Sequence, residues 1–230
     1  MTLEKVDKAD AIEYWGHYPI ADLEFVTRSP VATGLRAWTP FIPGDVAVSN
    51  TPGAVFEVSL RNRSDSVQSG AVAFSFPGFD SHKSTFFDKP HPVLRPPDMP
   101  NLPRRKIVRR PLENGLVGAW VTDENWKMSY VLAVMDGEST RIGRELAADG
   151  TKWSEIRNRL PEAGAAESGT SLVVDFKLPP GAAKTIRFVL AWYAPEWRGN
   201  GLPETGGNTY SHIYAKRYAD APAALYATGR

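Results

Sequence analysis

The feature that most constrains this chain is a side-chain rhythm of period two that recurs along much of its 230 residues. Between Ala54 and Leu60, the residues Phe56, Val58 and Leu60 alternate with Val55, Glu57 and Ser59. Successive side chains of an extended strand point to opposite faces, so this alternation predicts a strand with one apolar face. The same rhythm sets Val72, Phe74 and Phe76 against Ala71, Ala73 and Ser75, and Leu172, Val174, Phe176 and Leu178 against Val173, Asp175 and Lys177. It also sets Ile186, Phe188, Leu190 and Trp192 against Arg187, Val189 and Ala191, which predicts that Trp192 is buried with Phe188. Further strands are predicted over residues 20–27, 31–38, 116–121 and 128–135. Turn signals such as Arg63-Ser64-Asp65, Asp136-Gly137 and Pro179-Pro180-Gly181 separate them. Many short strands and little helix predict an all-β fold, a large antiparallel β-sandwich.

Two regions break the rhythm. Residues 79–111 hold Pro90, Pro92, Pro96, Pro97, Pro100, Pro103 and Pro111. Proline lacks the N–H that a ladder needs, so a long extended loop is expected there. Tyr210, Ile213, Tyr214 and Tyr218 fall at helical spacing and predict one amphipathic helix after a Gly-rich loop. Asp220 with Pro222 two residues on reads as a second helix start. The chain therefore reads as a single sandwich domain over residues 1–230, with 208–230 as the helical opening of a linker to a domain that the sequence does not contain.

Composition removes several function classes. Lys plus Arg (27) nearly balance Asp plus Glu (26), so the overall field favours neither nucleic acid nor an anionic surface. Cysteine is absent, which excludes disulfides, thiolate metal sites and a cysteine nucleophile. The opening carries Glu4, Lys5, Asp7, Lys8, Asp10 and Glu13 and lacks the apolar run of a signal peptide. No stretch approaches the roughly 20 apolar residues of a membrane span. A soluble, cytoplasmic protein is expected.

The candidate chemistry is sparse. Glycosidic hydrolysis usually needs two opposed carboxylates, but Asp22 and Glu24 share one strand face and Asp123 and Glu124 are neighbours in a turn. Glu57 lies within an apolar strand, beside Arg61 on the same face, and is expected in an outward cross-strand ion pair. His17, His82, His91 and His212 have no metal-ligand spacing, and no cofactor is expected. Gly199, Gly201, Gly206 and Gly207 miss the phosphate-loop spacing, because Glu204 stands where a third glycine should be. Arg95, Arg104, Arg105, Lys106, Arg109 and Arg110 form one basic cluster without interleaved aromatic residues, which suits a solvated loop or an acidic partner surface better than a nucleic acid. Among the tryptophans, Trp126 and Trp197 lie in or near loops and are the candidates for an exposed, sugar-stacking surface.

Two longer runs carry a resemblance. Arg36-Ala37-Trp38-Thr39-Pro40-Phe41-Ile42-Pro43-Gly44-Asp45, followed by Ser49-Asn50-Thr51-Pro52-Gly53-Ala54-Val55-Phe56, resembles the signature of the N-terminal domain of glycoside hydrolase family 116, the non-lysosomal glucosylceramidase and bile acid β-glucosidase family. Gly16-His17-Tyr18-Pro19, Phe74-Ser75-Phe76-Pro77-Gly78 and Phe188-Val189-Leu190-Ala191-Trp192-Tyr193-Ala194-Pro195 are similar to that domain at the corresponding places. The resemblance spans roughly residues 14–226.

The resemblance implies a supersandwich-like domain that packs on an (α/α)6 barrel, in an enzyme that cleaves β-glucosides, glucosylceramide included, with retention of configuration. Both catalytic carboxylates of the family lie in the barrel, so no catalytic, cofactor-binding or metal-binding residue carries over. The expected partners are the barrel, in cis or in trans, and through it a β-glucoside or glycolipid substrate; self-association is expected where these neighbours are missing. Asp45, Asn50, Trp126, Trp197 and Arg198 are the residues expected to face the other domain or a sugar. Prolines 40, 43 and 52 fix φ around the loop that holds Asp45 and Asn50, so that loop is expected to be rigid. The competing reading is a free-standing carbohydrate-binding sandwich that uses Trp126 or Trp197.

Overall fold

The computed structural model describes residues 7–79, 105–113, 116–135, 139–147, 149–198 and 209–228. Among the described residues there are thirteen strands and three short α-helices. The first strands are β1 (Ala11–His17), β2 (Ile20–Val26), β3 (Val31–Trp38), β4 (Gly53–Asn62) and β5 (Gln68–Phe76), with helix α1 (Val46–Ser49) between β3 and β4. β6 (Ile107–Pro111), β7 (Val117–Asp123), β8 (Met128–Val134) and β9 (Thr140–Gly143) follow, then α2 (Gly150–Ser154). The chain closes with β10 (Thr170–Leu178), β11 (Ala183–Tyr193), β12 (Glu196–Arg198), β13 (Thr209–Ser211), a 3-10 turn over Ile213–Lys216 and α3 (Ala221–Thr228).

The predicted antiparallel sandwich is what forms. One sheet has eight strands in the order β1-β2-β3-β4-β11-β8-β7-β6, the other has three in the order β5-β10-β9, and β12 pairs with β13 alone. Between the two sheets, Phe188, Leu132, Val134, Leu172, Val174 and Ile186 form a solvent-free core with Phe56 and Phe74 packed against it. Phe56, Phe74, Leu172, Val174, Ile186 and Phe188 are residues that period-two alternation placed on apolar faces, and Leu132 and Val134 lie in a strand predicted without a named face; each fully buried side chain of this size stabilises by roughly 1.5–3 kcal/mol.

The opposite face of the eight-stranded sheet is divided. Its central part, Val55, Val131, Ala133, Val189 and Ala191, is covered by Tyr218, Ala221, Ala224 and Leu225. That is why β11 is buried on both faces at Phe188 and Val189, where a strand facing water on one side would alternate. Asp220 caps α3 by accepting the Ala223 N–H at 2.8 Å, as the second predicted helix start requires. Tyr210 to Tyr218 does not form the predicted amphipathic helix. Thr209–Ser211 pairs with Glu196–Arg198, and only the single 3-10 turn Ile213–Lys216 follows. The Tyr214 hydroxyl is bound to the Ala194 carbonyl at 2.8 Å, so this segment is fastened by side-chain hydrogen bonds rather than by a continuous helical stripe.

Three strands that alternation did not reveal, β1, β6 and β9, complete the two sheets. β1 is an edge strand exposed along its whole length, so one-sided burial left no mark on its sequence. β6 occupies the last part of the predicted proline-rich loop, because its only proline, Pro111, stands at the strand's end on the opposite edge. Residues 80–104 of that loop, Arg95 and Arg104 among them, lie outside the described residues. So do the Gly-rich segment 199–208 and the chain's first six and last two residues. After β9 the chain meets the outer face of the small sheet, where Leu146 is fully buried and its N–H donates to Ser75 Oγ at 2.9 Å. Val173 is therefore fully buried although it sits on the polar side of its strand's alternation.

Candidate functional site

The expected site residues all fall at one end of the eight-stranded sheet, the end where β3 and β7 finish and β4 and β8 begin. Asp45 and Asn50 belong to the β3–β4 loop. The Asp45 carboxylate accepts the Val48 N–H at 2.9 Å and so caps α1. Asn50 closes the same turn of helix by donating from Nδ2 to the Val46 carbonyl at 2.7 Å. Ser49 Oγ accepts the Ile42 N–H at 3.1 Å and donates to the Ile42 carbonyl at 3.0 Å. Gly44, with φ at 84°, supplies the left-handed residue that the turn before α1 needs. The loop is braced as the prolines imply. Its two polar candidates, however, spend their side chains on holding it.

The loop is also tied to the rest of the sheet end. Pro52 accepts the Trp192 N–H at 2.9 Å, and Thr51 Oγ1 shares a hydrogen bond of 3.0 Å with the Tyr218 hydroxyl. Phe41 meets Tyr18, in the β1–β2 turn, edge-on at 4.9 Å between ring centroids; the Tyr18-Pro19 peptide is cis.

Trp126 lies in the β7–β8 turn, and Asp123 builds that turn. Its carboxylate is fully buried and accepts from Lys106 N at 3.3 Å, Asn125 N at 3.2 Å, Trp126 N at 3.3 Å and Arg105 Nη1 at 3.2 Å. Trp126 remains 38 % exposed. Lys127 pairs with Glu196 at 3.3 Å and so links this turn to β12. Trp197 and Arg198 pair with Tyr210 and Thr209 in the β12–β13 ribbon. The fold thus gathers the candidates on one rim, by strand order rather than by direct contact. The same rim exposes large apolar side chains that the sequence reading did not place on the surface: Tyr18, Ile42, Val46, Trp192 and Ile213. Trp192 is the correction among them. At 41 % exposed it stays outside the core between the sheets, although it shares strand parity with buried Phe188.

The charged groups are engaged with one another. Asp22 and Arg36 form a two-pronged pair at 2.7 and 3.2 Å. The hydrogen bond from Arg36 holds the Asp22 carboxyl below its ordinary range, and the same contact raises the guanidinium. Glu57 forms the cross-strand pair expected of it, with Arg187 at 2.7 Å rather than with Arg61. Lys106 and Arg110 both pair with Glu124, which lowers its pKa through the Lys106 hydrogen bond first. Arg109 donates to Thr170 Oγ1 at 2.8 Å and to the Glu167 and Gly169 carbonyls. The described part of the basic cluster therefore serves as internal bracing. Among the described residues, no three His, Asp or Glu side chains are grouped to hold a metal ion, and no helix is long and apolar enough to cross a membrane.

Comparison with known proteins adds the following. The family described as beta-glucosidase 2, glycosyl-hydrolase family 116 N-term, matches residues 2–229. No curated protein sequence matches the chain. A structure from the human microbiome described as a kojibiose phosphorylase is similar at 10 % identity and a TM-score of 0.39, over 76 % of this chain and 17 % of the other. A structure from Escherichia coli K12 described as an aldose 1-epimerase is similar at 11 % identity and a TM-score of 0.42, over 80 % and 68 %. A galactose mutarotase related enzyme from Lactobacillus acidophilus gives 8 % identity and a TM-score of 0.36, over 79 % and 71 %. The chain thus spans about a sixth of the length of the phosphorylase.

Proposed function

The chain belongs to glycoside hydrolase family 116 through that family's N-terminal domain, and on that premise we propose that it is a non-catalytic sandwich that scaffolds a helical catalytic barrel in a β-glucosidase of the glucosylceramidase type. The observation that carries this reading is the unequal width of the two sheets. Only the central strands of the large sheet are covered on their inner face by the three-stranded sheet. Along one register row, from Ile186 through Val58, Leu35 and Leu23 to Tyr14, burial fades from 1 % exposed at Ile186 to 64 % at Tyr14. The apolar row continues past the end of its cover, and the apolar rim of the candidate site borders it. An unpaired edge strand with an uncovered apolar face favours a docked partner.

The fully buried Asp123, the Asp22–Arg36 pair and the Glu57–Arg187 pair also support a scaffold. These carboxylates are committed to structure, and none faces another across a cleft as glycosidic chemistry requires. Substrate recognition then belongs to the barrel, with the rim of Asp45, Asn50, Trp126, Trp197 and Arg198 turned toward it. The experiment is to add a family 116 barrel domain in trans. The melting temperature of the sandwich should rise, and amides of β1 to β3 should gain protection from hydrogen exchange. An unmoved melting temperature with unprotected β1 to β3 amides would overturn the reading. Exposure of Trp126 at 38 % is the observation that favours the second reading, a free-standing carbohydrate-binding sandwich.

A further inference from the structure

On the outer face of β1 to β4 and β11, beyond the part covered by α3, two register rows cross the strands side by side. The first runs Trp15, Asp22, Arg36, Glu57, Arg187. Its charges alternate in sign and neutralise one another through contacts of 2.7 Å between Arg36 and Asp22 and 2.7 Å between Arg187 and Glu57. Trp15 ends the row at the sheet edge, 50 % exposed. The second row runs Glu13, Glu24, Gly34, Ser59, Thr185, with the two carboxylates at its β1–β2 end. Its central side chains are small, and at Gly34 a Cβ would stand 2.8 Å from Ser59 Oγ and displace that hydroxyl.

A tall charged row beside a low row makes a trough. Two adjoining concavities of about 420 and 390 Å³ meet along Glu24, Gly34, Ser59 and Thr185. Four strands at a spacing of roughly 4.8 Å give the floor a length of about 14 Å. That is too long for one sugar ring and suits a chain of several.

We propose that this trough binds an extended, neutral, β-linked oligosaccharide, with Trp15 stacking on one ring and the Asp22, Arg36, Glu57, Glu24 and Ser59 side chains hydrogen-bonding its hydroxyls. Three features select that ligand class. The charges of the tall row are spent on one another at 2.7 Å, so that row offers donors and acceptors held in fixed positions. Glu24 forms no ion pair among the described residues and keeps its carboxylate oxygens open to hydroxyl donors. An indole at the end of a polar floor offers a flat apolar face to the flat apolar face of a β-linked pyranose ring. The trough lies on the opposite side of the sheet from the apolar face assigned to the barrel. Its occupancy and the docking of the barrel therefore stand or fall separately.

The test uses the 230-residue chain with cellotetraose and xylotetraose as probes, titrated by calorimetry and by amide and indole NMR shifts. Saturable binding is expected for at least one probe, with shifts confined to Trp15 and the outer face of β2 to β4. Trp15→Ala should weaken binding about tenfold, the size of a lost stacking contact. Ser59→Phe, which fills the floor at an exposed position, should abolish it while leaving the melting temperature in place. Trp126→Ala should leave affinity unchanged. Binding that ignores both Trp15→Ala and Ser59→Phe would overturn the proposal. So would binding lost only in Trp126→Ala, or no saturable binding of either probe.

Discussion

Phe188 and Trp192 stand four residues apart on the same side of β11, one fully buried and the other 41 % exposed. Phe188 stacks against Phe74 at 5.6 Å between the sheets, whereas Trp192 is not part of the core cluster formed by the described residues. Phe188→Ala should therefore cost about 3–5 kcal/mol. Trp192→Ala should fall within about 1 kcal/mol of the parent, as changes at exposed sites do. Urea denaturation midpoints of the two variants measure the contrast. Tyr130 offers a pH test. Its ring is buried beside Phe76 and Phe79, and its hydroxyl donates to the Ser168 carbonyl and contacts Thr170 Oγ1 at 2.8 Å. Burial pushes that hydroxyl up to about 12 from an ordinary 10.0. The unfolded chain ionises Tyr130 first, so its contribution is complete below pH 10 and is lost between about pH 10 and 12. The loss amounts to roughly 3 kcal/mol. In Tyr130→Phe, stability should be lower at neutral pH and should decline less steeply through that window, as read from denaturation curves at stepped pH.

At the scale of elements, α3 is the helix whose packing completes the sandwich. It is short, and an isolated helix of eight residues is marginal in water, so its stability comes from its cap and from the apolar surface beneath it. Gly53 approaches so closely that a Cβ there would stand 2.2 Å from Thr228 Oγ1. Asp220→Ala removes the acceptor for the Ala223 N–H and should cost about 1 kcal/mol. The loss should appear first as faster hydrogen exchange in α3 and in the part of β11 it covers. Uniform exchange across both sheets would mean instead that the cap is not limiting. Pro222 was a legible signal for this helix, because proline is tolerated in the first turn, where N–H groups have no partner in the helix. The preceding tyrosines misled, because Tyr214 buries its ring through a tertiary hydrogen bond to Ala194 and so mimics helical periodicity.

Considered as a whole, the molecule has one sheet wider than its cover. Ile12 is 57 % and Tyr14 64 % exposed on the inner side of an edge strand. Without a partner there, chains should associate through β1. Light scattering across a concentration series should show a mass that rises with concentration, and Tyr14→Lys should suppress the rise by placing a charge on the exposed edge. A constant monomer mass for the parent would count against this surface as a docking face.

The four strands named by alternation, the four further strands set between turn signals, the sandwich class and the start of α3 were legible because each depends on local chemistry: which side chains alternate, where proline and glycine stand, which residue can cap. The braced β3–β4 loop was legible for the same reason. What tertiary structure alone decided was which apolar faces found a cover. Nothing within β11 tells Phe188 from Trp192, because the difference is what each position meets across the sandwich, Phe74 in the case of Phe188. Likewise nothing within β1 marks it as a strand, because an edge exposed on both faces leaves no alternation to read. The trough of Glu24, Gly34, Ser59 and Thr185 draws its residues from four strands distant in sequence, and only register brings them into one row.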